Sequence, residues 1–238
     1  MPGLLTRAFT MIAEVISPRH CEVCSQLNNS PARRHEFICN RCYDSIPFAP
    51  DPAVIINSIS SMHHADDIMI DNAYCLFGIR EDHNYMNLIY SLKYHGFSRV
   101  GFELGKELGQ ILKYYSVPAY DKILPVPIHK VRLRERGYNQ SDFIARGVAS
   151  VIGAEVSDKL VKRGIYTTTQ TLLSAKKRKE NVANAFSPWS SSVNIKGKSV
   201  LIVDDVLTTG STINSIAIVL AEMGARRIDC ATLAFAGT

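Results

Sequence analysis

Nowhere in the chain do about 18 apolar residues follow one another, so no membrane-spanning helix is expected. Charge of a single sign is also lacking: 27 basic against 22 acidic side chains leave a net +5. That balance permits a phosphate-bearing partner and gives no argument for a broad surface coating nucleic acid. A nucleotide-triphosphatase loop is missing too. The nearest stretch, Gly101-Phe-Glu-Leu-Gly105-Lys106-Glu107, is one residue short and carries Glu after the Lys. No internal repeat is visible. Met1 to Ile16 has no unbroken apolar stretch and no small-residue cleavage site, and it carries Arg7 and Glu14, so it is a poor secretory leader and a cytoplasmic protein is expected. Leu4, Leu5, Ala8, Met11, Ile12, Val15 and Ile16 recur at helical spacing, which predicts a short amphipathic helix docked on the protein. A membrane-surface helix is the alternative, and it would lack the usual Lys/Arg-rich polar face.

What is present is an ordinary globular composition, 46% hydrophobic and 21% charged, in 238 residues. That length holds one full domain and a small module. Six cysteines stand at 21, 24, 39, 42, 75 and 230. Cys21-x-x-Cys24 and Cys39-x-x-Cys42 form two pairs whose two-residue gaps turn both thiolates of a pair toward one ion. Together they make a closed tetrahedral sulfur site suited to structural Zn²⁺. The polar segment between them is too short for a core, so metal binding would supply its folding energy. Two disulfides or redox pairs are the alternative, disfavoured where thiols stay reduced. His20 and His35 lie close and are bystanders while four cysteines are available. Arg19, Arg33, Arg34 and Arg41 suit phosphate contacts or a solvated face equally. Cys75 and Cys230 read as small core residues.

Pro47, Pro50 and Pro52 mark a linker. Residues 53–72 carry no firm pattern. Beyond them, strands are predicted at Ala73–Ile79, Lys122–Val126, Ser199–Val203 and Arg227–Phe235. Helices are predicted at Tyr85–Tyr94, Phe102–Tyr115, Tyr138–Ile152 and Ser211–Met223, the last ending at Gly224. Ser187–Lys198 reads as a loop. Strands alternating with helices indicate an α/β protein with a parallel-type sheet.

The sharpest motif is Val200-Leu-Ile-Val-Asp204-Asp205-Val-Leu-Thr208-Thr209-Gly210-Ser211-Thr212, followed at once by the last helix. A buried strand delivers two carboxylates to its carboxyl end, where open α/β sheets bind ligands. A turn of hydroxyl residues and one glycine then opens a helix, whose free amides form an anion site. A ligand with ribose hydroxyls and a 5′-phosphate satisfies both halves. Asp residues that merely cap the following turn are the plainer alternative.

Residues 200–212 resemble the phosphoribosyl-pyrophosphate (PRPP) signature of type I phosphoribosyltransferases. The whole chain resembles the ComF family of competence-associated proteins, from the cysteine pairs through Ser91-Leu-Lys93-Tyr94, Pro125-Val-Pro127 and Arg136-Gly-Tyr-Asn-Gln140 to the C-terminal loop. The resemblance implies a type I phosphoribosyltransferase-like, mainly parallel sheet flanked by helices (residues 53–238), after an N-terminal helix and zinc module (residues 1–52). It gives Asp204 and Asp205 the ribose hydroxyls, and Thr208, Thr209, Gly210, Ser211 and Thr212 the 5′-phosphate. Lys130, Arg132, Arg134 and Arg136 become the pyrophosphate loop, though a basic turn facing water would look the same. Residues 163–186 resemble the flexible hood that covers the site, with Arg163, Thr167, Gln170, Arg178 and Asn181 matching its pattern and Ile165 departing from it. Mg²⁺ would arrive with the pyrophosphate. No side-chain nucleophile is implied. The implied reaction is phosphoribosyl transfer to an unidentified nucleophilic acceptor; the alternative is a PRPP-sensing or DNA-handling module. Its partners would be PRPP and the DNA-uptake machinery or single-stranded DNA. Oligomeric state is not set by any of these residues.

Overall fold

The computed structural model describes residues 20–237, apart from 29, 31, 33, 64–66, 80–83, 95–97 and 165–184. Its elements run α1 (Asn40–Asp44), α2 (Pro52–Met62), β1 (Asn72–Gly78), α3 (Met86–Tyr94), α4 (Ser98–Tyr114), β2 (Lys122–Pro125), α5 (Lys130–Arg136), α6 (Gln140–Ile152), β3 (Glu155–Val156), β4 (Val161–Arg163), β5 (Phe186–Pro188), β6 (Ser199–Leu207), α7 (Ser211–Glu222) and β7 (Arg227–Phe235).

Five strands form one sheet in the order β1-β7-β6-β2-β3, and every pairing in it is parallel. The β-branched, apolar β6 and β7 lie at its middle, buried on both faces as parallel strands must be. Alternation divides their side chains between two cores. Leu201 and Val203 join Leu104, Leu108, Ile144 and Val148 of α4 and α6 on one face. Val200 and Ile202 join Ile55, Ile59, Ile213 and Ile216 of α2 and α7 on the other. Helices α4 and α6 touch backbone to backbone: a Cβ built on Gly105 would lie 2.3 Å from the Ile144 carbonyl oxygen, and one on Gly147 would lie 2.1 Å from that of Phe102. The first core also takes in Cys21, Val23, Ile38 and Cys42. The cysteine module therefore shares its apolar interior with the sheet.

Several stretches differ from the sequence reading. The unpatterned stretch after residue 52 forms α2, started by Pro52 at its first position and capped by Asp51, which accepts from Ala53 N. Proline and aspartate thus begin a helix where proline spacing suggests only a linker. Residues 130–136, expected as a basic loop, form the short helix α5. His129 Nδ1 caps it by accepting from Val131 N, and Gly137 closes it at φ 79°. Phe186–Pro188, placed at the edge of a loop, is strand β5, paired antiparallel with β4.

Candidate functional site

β2 and β6 are neighbours, yet the chain leaves them in opposite directions. After β2 it passes through α6 to β3; after β6 it passes through α7 to β7 on the other side. A crevice opens at such a reversal, at the carboxyl ends of the strands. β2 ends where Pro125 pairs with Val203, while β6 runs on to Leu207 against β7 alone. The overhang carries Asp204 and Asp205. They belong to the strand itself, which extends four residues past its expected end at Val203.

The overhang is held by the start of α6. Asn139 caps that helix through Ser141 N, and its own side-chain amide donates to Val126 O at 3.0 Å. Ser141 Oγ then donates to Asp204 Oδ1 at 2.8 Å, and Gln140 Nε2 approaches Asp205 Oδ2 at 3.4 Å. Lys93 at the end of α3 places its ammonium 3.0 Å from Asp205 Oδ2. Arg136 donates to Gln140 Oε1 at 3.1 Å, so it reaches Asp205 through an amide relay. Burial, then the charge of Asp205, push Asp204 up to about 7; the Ser141 hydroxyl and Lys93 pull the other way. The two carboxylates are thus held by side chains of α3 and α6, Lys93 and Gln140 on Asp205 and Ser141 on Asp204.

The four expected pyrophosphate cations do not act alike. On α5, Lys130 and Arg134 share an exposed face, while Arg132 and Arg136 lie half-buried on the inner one. Arg163 stands on β4 with its guanidinium 5.4 Å from the Phe186 ring centre. Burial, then the proximity of Arg132, lower its pKa, and Asp204 opposes them. Thr167, Gln170, Arg178 and Asn181 lie outside the described residues. Lys93, Gln140 and Ser141 were not chosen as site residues from sequence. Lys93 and Gln140 belong to the Ser91–Tyr94 and Arg136–Gln140 motifs, and Ser141 directly follows the second.

The hydroxyl turn follows directly. Gly210 takes φ 75° and is the residue before α7; a Cβ there would come 2.9 Å from Ile59 Cγ2. Thr208 and Thr209 are exposed, and Ser211 and Thr212 half-exposed. Thr209 Oγ1 and Ser211 Oγ lie 2.9 Å apart. The turn presents hydroxyls and helix-start amides at the same carboxyl end of the sheet as the carboxylates, which suits a phosphate ester.

Cys21, Cys24, Cys39 and Cys42 bring their sulfurs within 4.8 Å of one another, and none is in a disulfide. Cys24 and Cys39 sulfurs are 3.9 Å apart. A tetrahedron with Zn–S near 2.3 Å has sulfurs about 3.8 Å apart, so the cage fits the ion. Cys39 N donates to Cys21 Sγ at 3.3 Å, as amides do to thiolate ligands. Burial opposes ionisation of Cys24, yet the Gln26 amide and the neighbouring sulfurs bring its thiol down to about 7. His35 stays out of the cage, stacked on Tyr43 at 5.9 Å between ring centres. Cys75 and Cys230 are buried in the core, as expected.

Residues 144–238 match the family model of the phosphoribosyl transferase domain. Competence protein F of Haemophilus influenzae is 40% identical over 109 residues, 46% of this chain and 48% of that protein. The DNA utilization protein YhgH of Salmonella typhi is 34% identical over 154 residues, 61% of this chain and 66% of that protein. Competence protein ComFC of Streptococcus pneumoniae is 31% identical over 108 residues, 45% of each chain. The chain thus spans between about half and just under two thirds of the length of these curated relatives. Among solved structures, the purine phosphoribosyltransferase of Pyrococcus horikoshii is similar at 19% identity and a TM-score of 0.36, covering 56% of this chain and 71% of that one. The sheet, its flanking helices and the matched domain make this a parallel α/β fold of the type I phosphoribosyltransferase kind, with a four-cysteine cluster near its N-terminus.

Proposed function

We propose, on the premise that the chain belongs to the ComF family of phosphoribosyltransferase-like proteins, that it binds PRPP at the β6–α7 crevice and transfers its phosphoribosyl group to a nucleophilic acceptor. The observation that carries this reading is the overhang of β6. It sets Asp204 and Asp205 immediately before a glycine-capped hydroxyl turn, at the switch point of the sheet.

Asp204 and Asp205 would accept from the ribose 2′- and 3′-hydroxyls. Thr208, Thr209, Ser211 and Thr212 would donate hydroxyls to the 5′-phosphate, and Gly210 would let it approach the backbone. Arg132 and Arg136, on the inner face of α5, would meet the pyrophosphate. Charge gathers there as the leaving group departs, so fixed cations lower the barrier. Lys93, paired with Asp205, would hold that carboxylate in place until ribose hydroxyls replace the ammonium. Mg²⁺ fits a site of hard oxygen donors, and Asp204 and Asp205 are the carboxylates beside which it would neutralise pyrophosphate charge. Zn²⁺ would be held by Cys21, Cys24, Cys39 and Cys42 and serve folding, since all four positions of the cage are protein sulfurs.

The relatives named for competence and DNA utilization favour a role for this chemistry in DNA uptake or use. The same names support a second reading, in which PRPP is bound as a signal without turnover. Two measurements decide. Calorimetric titration should show PRPP binding that strengthens with Mg²⁺, and pyrophosphate release should appear only with the right base or amine. PRPP binding without release for any acceptor favours the signal reading, and no PRPP binding at all removes both.

A further inference from the structure

Helix α2 ends directly over the hydroxyl turn. Its Ile59 packs beneath Gly210, and its C-terminal neighbour His63 reaches the turn with a ring nitrogen. His63 Nε2 lies 2.8 Å from Thr209 O and 3.5 Å from Ser211 Oγ. A carbonyl oxygen only accepts, so Nε2 carries the proton and donates it to Thr209 O.

The Thr209–Gly210 peptide is planar and trans, so its C=O and its N–H point in opposite directions. A donor that holds the Thr209 carbonyl on the α2 side therefore turns the Gly210 N–H away from α2. That N–H donates to nothing among the described residues. Gly210, at φ 75°, sits at a position where glycine makes rotation of the preceding peptide easy. Rotated the other way, the same peptide would present a carbonyl oxygen to an incoming anion. Ile59 of α2 and His63, the residue that follows the helix, supply an external restraint on the turn.

From this geometry we infer that His63 is a positioning residue for the phosphate turn. Its hydrogen bond to Thr209 O fixes the Thr209–Gly210 peptide so that the Gly210 amide faces the phosphate. The inference rests on the turn being the phosphate site, and it assigns a function to α2, a helix that none of the sequence motifs includes.

The test measures binding of inorganic phosphate and ribose 5-phosphate to the full-length protein by calorimetry. His63→Leu keeps bulk but loses the donor, and His63→Gln keeps a donor without the ring. His63→Leu should bind both probes about tenfold more weakly, the effect of misdirecting one charge-assisted bond. His63→Gln should bind as wild type does. Amide NMR adds a readout that a purely packing role would not move. On adding phosphate, the Gly210 N–H resonance should shift in wild type and in His63→Gln, and stay in place in His63→Leu. Wild-type affinity in His63→Leu overturns the inference while leaving the phosphate site intact. Loss in His63→Gln equal to that in His63→Leu overturns it as well, because the donor would then not matter. A wild-type protein that binds neither probe removes the phosphate site itself and this inference with it.

Discussion

Two adjacent carboxylates at one strand end carry most of the ligand specificity proposed here. Replacing both, Asp204→Asn with Asp205→Asn, preserves size and removes two charge-assisted acceptors, each worth about 1.5–3 kcal/mol. PRPP affinity should fall on the order of 10²-fold. Inorganic phosphate should bind unchanged, because the hydroxyl turn is a separate group. Calorimetry with both ligands checks this, and equal PRPP affinity in the double variant would return the pair to capping the turn. Asp204 alone makes a prediction about pH. Its carboxyl is raised to about 7 by burial and by Asp205, whereas in an unfolded chain it titrates near ~3.9. The unfolded state gives up its proton first, so stability is full below about pH 4 and is lost as pH rises toward 7. Asp204→Asn removes that loss. Its thermal midpoint minus that of wild type should grow from about pH 4 to 7 and then level off. A difference that stays flat across this window would contradict the buried, charge-coupled setting of Asp204.

Short helix α5 sorts the basic residues by face. Arg132→Gln with Arg136→Gln should weaken pyrophosphate binding about tenfold or more. Lys130→Gln with Arg134→Gln should change it little, since those side chains face solvent. Fluorescence or calorimetric titration of pyrophosphate compares the two pairs, and equal losses would show that the faces are not distinct. The α4–α6 contact makes a prediction about packing. Gly→Ala within a helix gains up to about 1 kcal/mol in propensity. At Gly105 the new methyl would meet the Ile144 carbonyl at 2.3 Å, which two helix backbones can relieve only by separating. Overpacking costs about 1–3 kcal/mol or more and should win. Gly105→Ala should lower the denaturation midpoint, and a variant as stable as wild type would mean the helices yield freely. Because α6 also carries Gln140 and Ser141, the same change should weaken PRPP binding.

The cysteine cluster and the sheet unfold together if their common interior governs stability. Cys21, Val23, Ile38 and Cys42 lie in the same core as Leu88, Leu92 and Leu104, and Tyr85 donates to Cys42 O at 2.8 Å. Protein purified without chelator should contain one Zn²⁺ per chain by elemental analysis. Removing it, or making Cys39→Ser, should lower the melting temperature of the entire chain in one transition. A separate early transition, with the sheet melting as before, would show that the module folds apart from it. No described helix is long and apolar enough to cross a membrane.

The strand–turn–helix that ends in Asp204, Asp205 and Gly210 was legible from sequence. Its signals are local: a β-branched apolar run, an acidic pair, a hydroxyl turn and a helix period. The two cysteine pairs were legible for the same reason, since ligand spacing is a property of neighbouring residues. The alternation of strands and helices gave the parallel α/β class. What lies around the carboxylates was not legible. Lys93 and Ser141 meet Asp205 and Asp204 across 112 and 63 positions, a separation that no spacing rule spans. His63 reaches Thr209 across 146. The inner and outer faces of α5 depended on its being a helix at all, which needed the His129 cap and Gly137 to turn a basic stretch into one. The sequence by itself determined which groups exist and what each short segment folds into, because propensity and hydrophobic period act within about ten residues. The tertiary structure decided which of those groups share one crevice. Strand order and the Pro125–Val203 register set that outcome, and they arise from packing two cores on the faces of a single sheet.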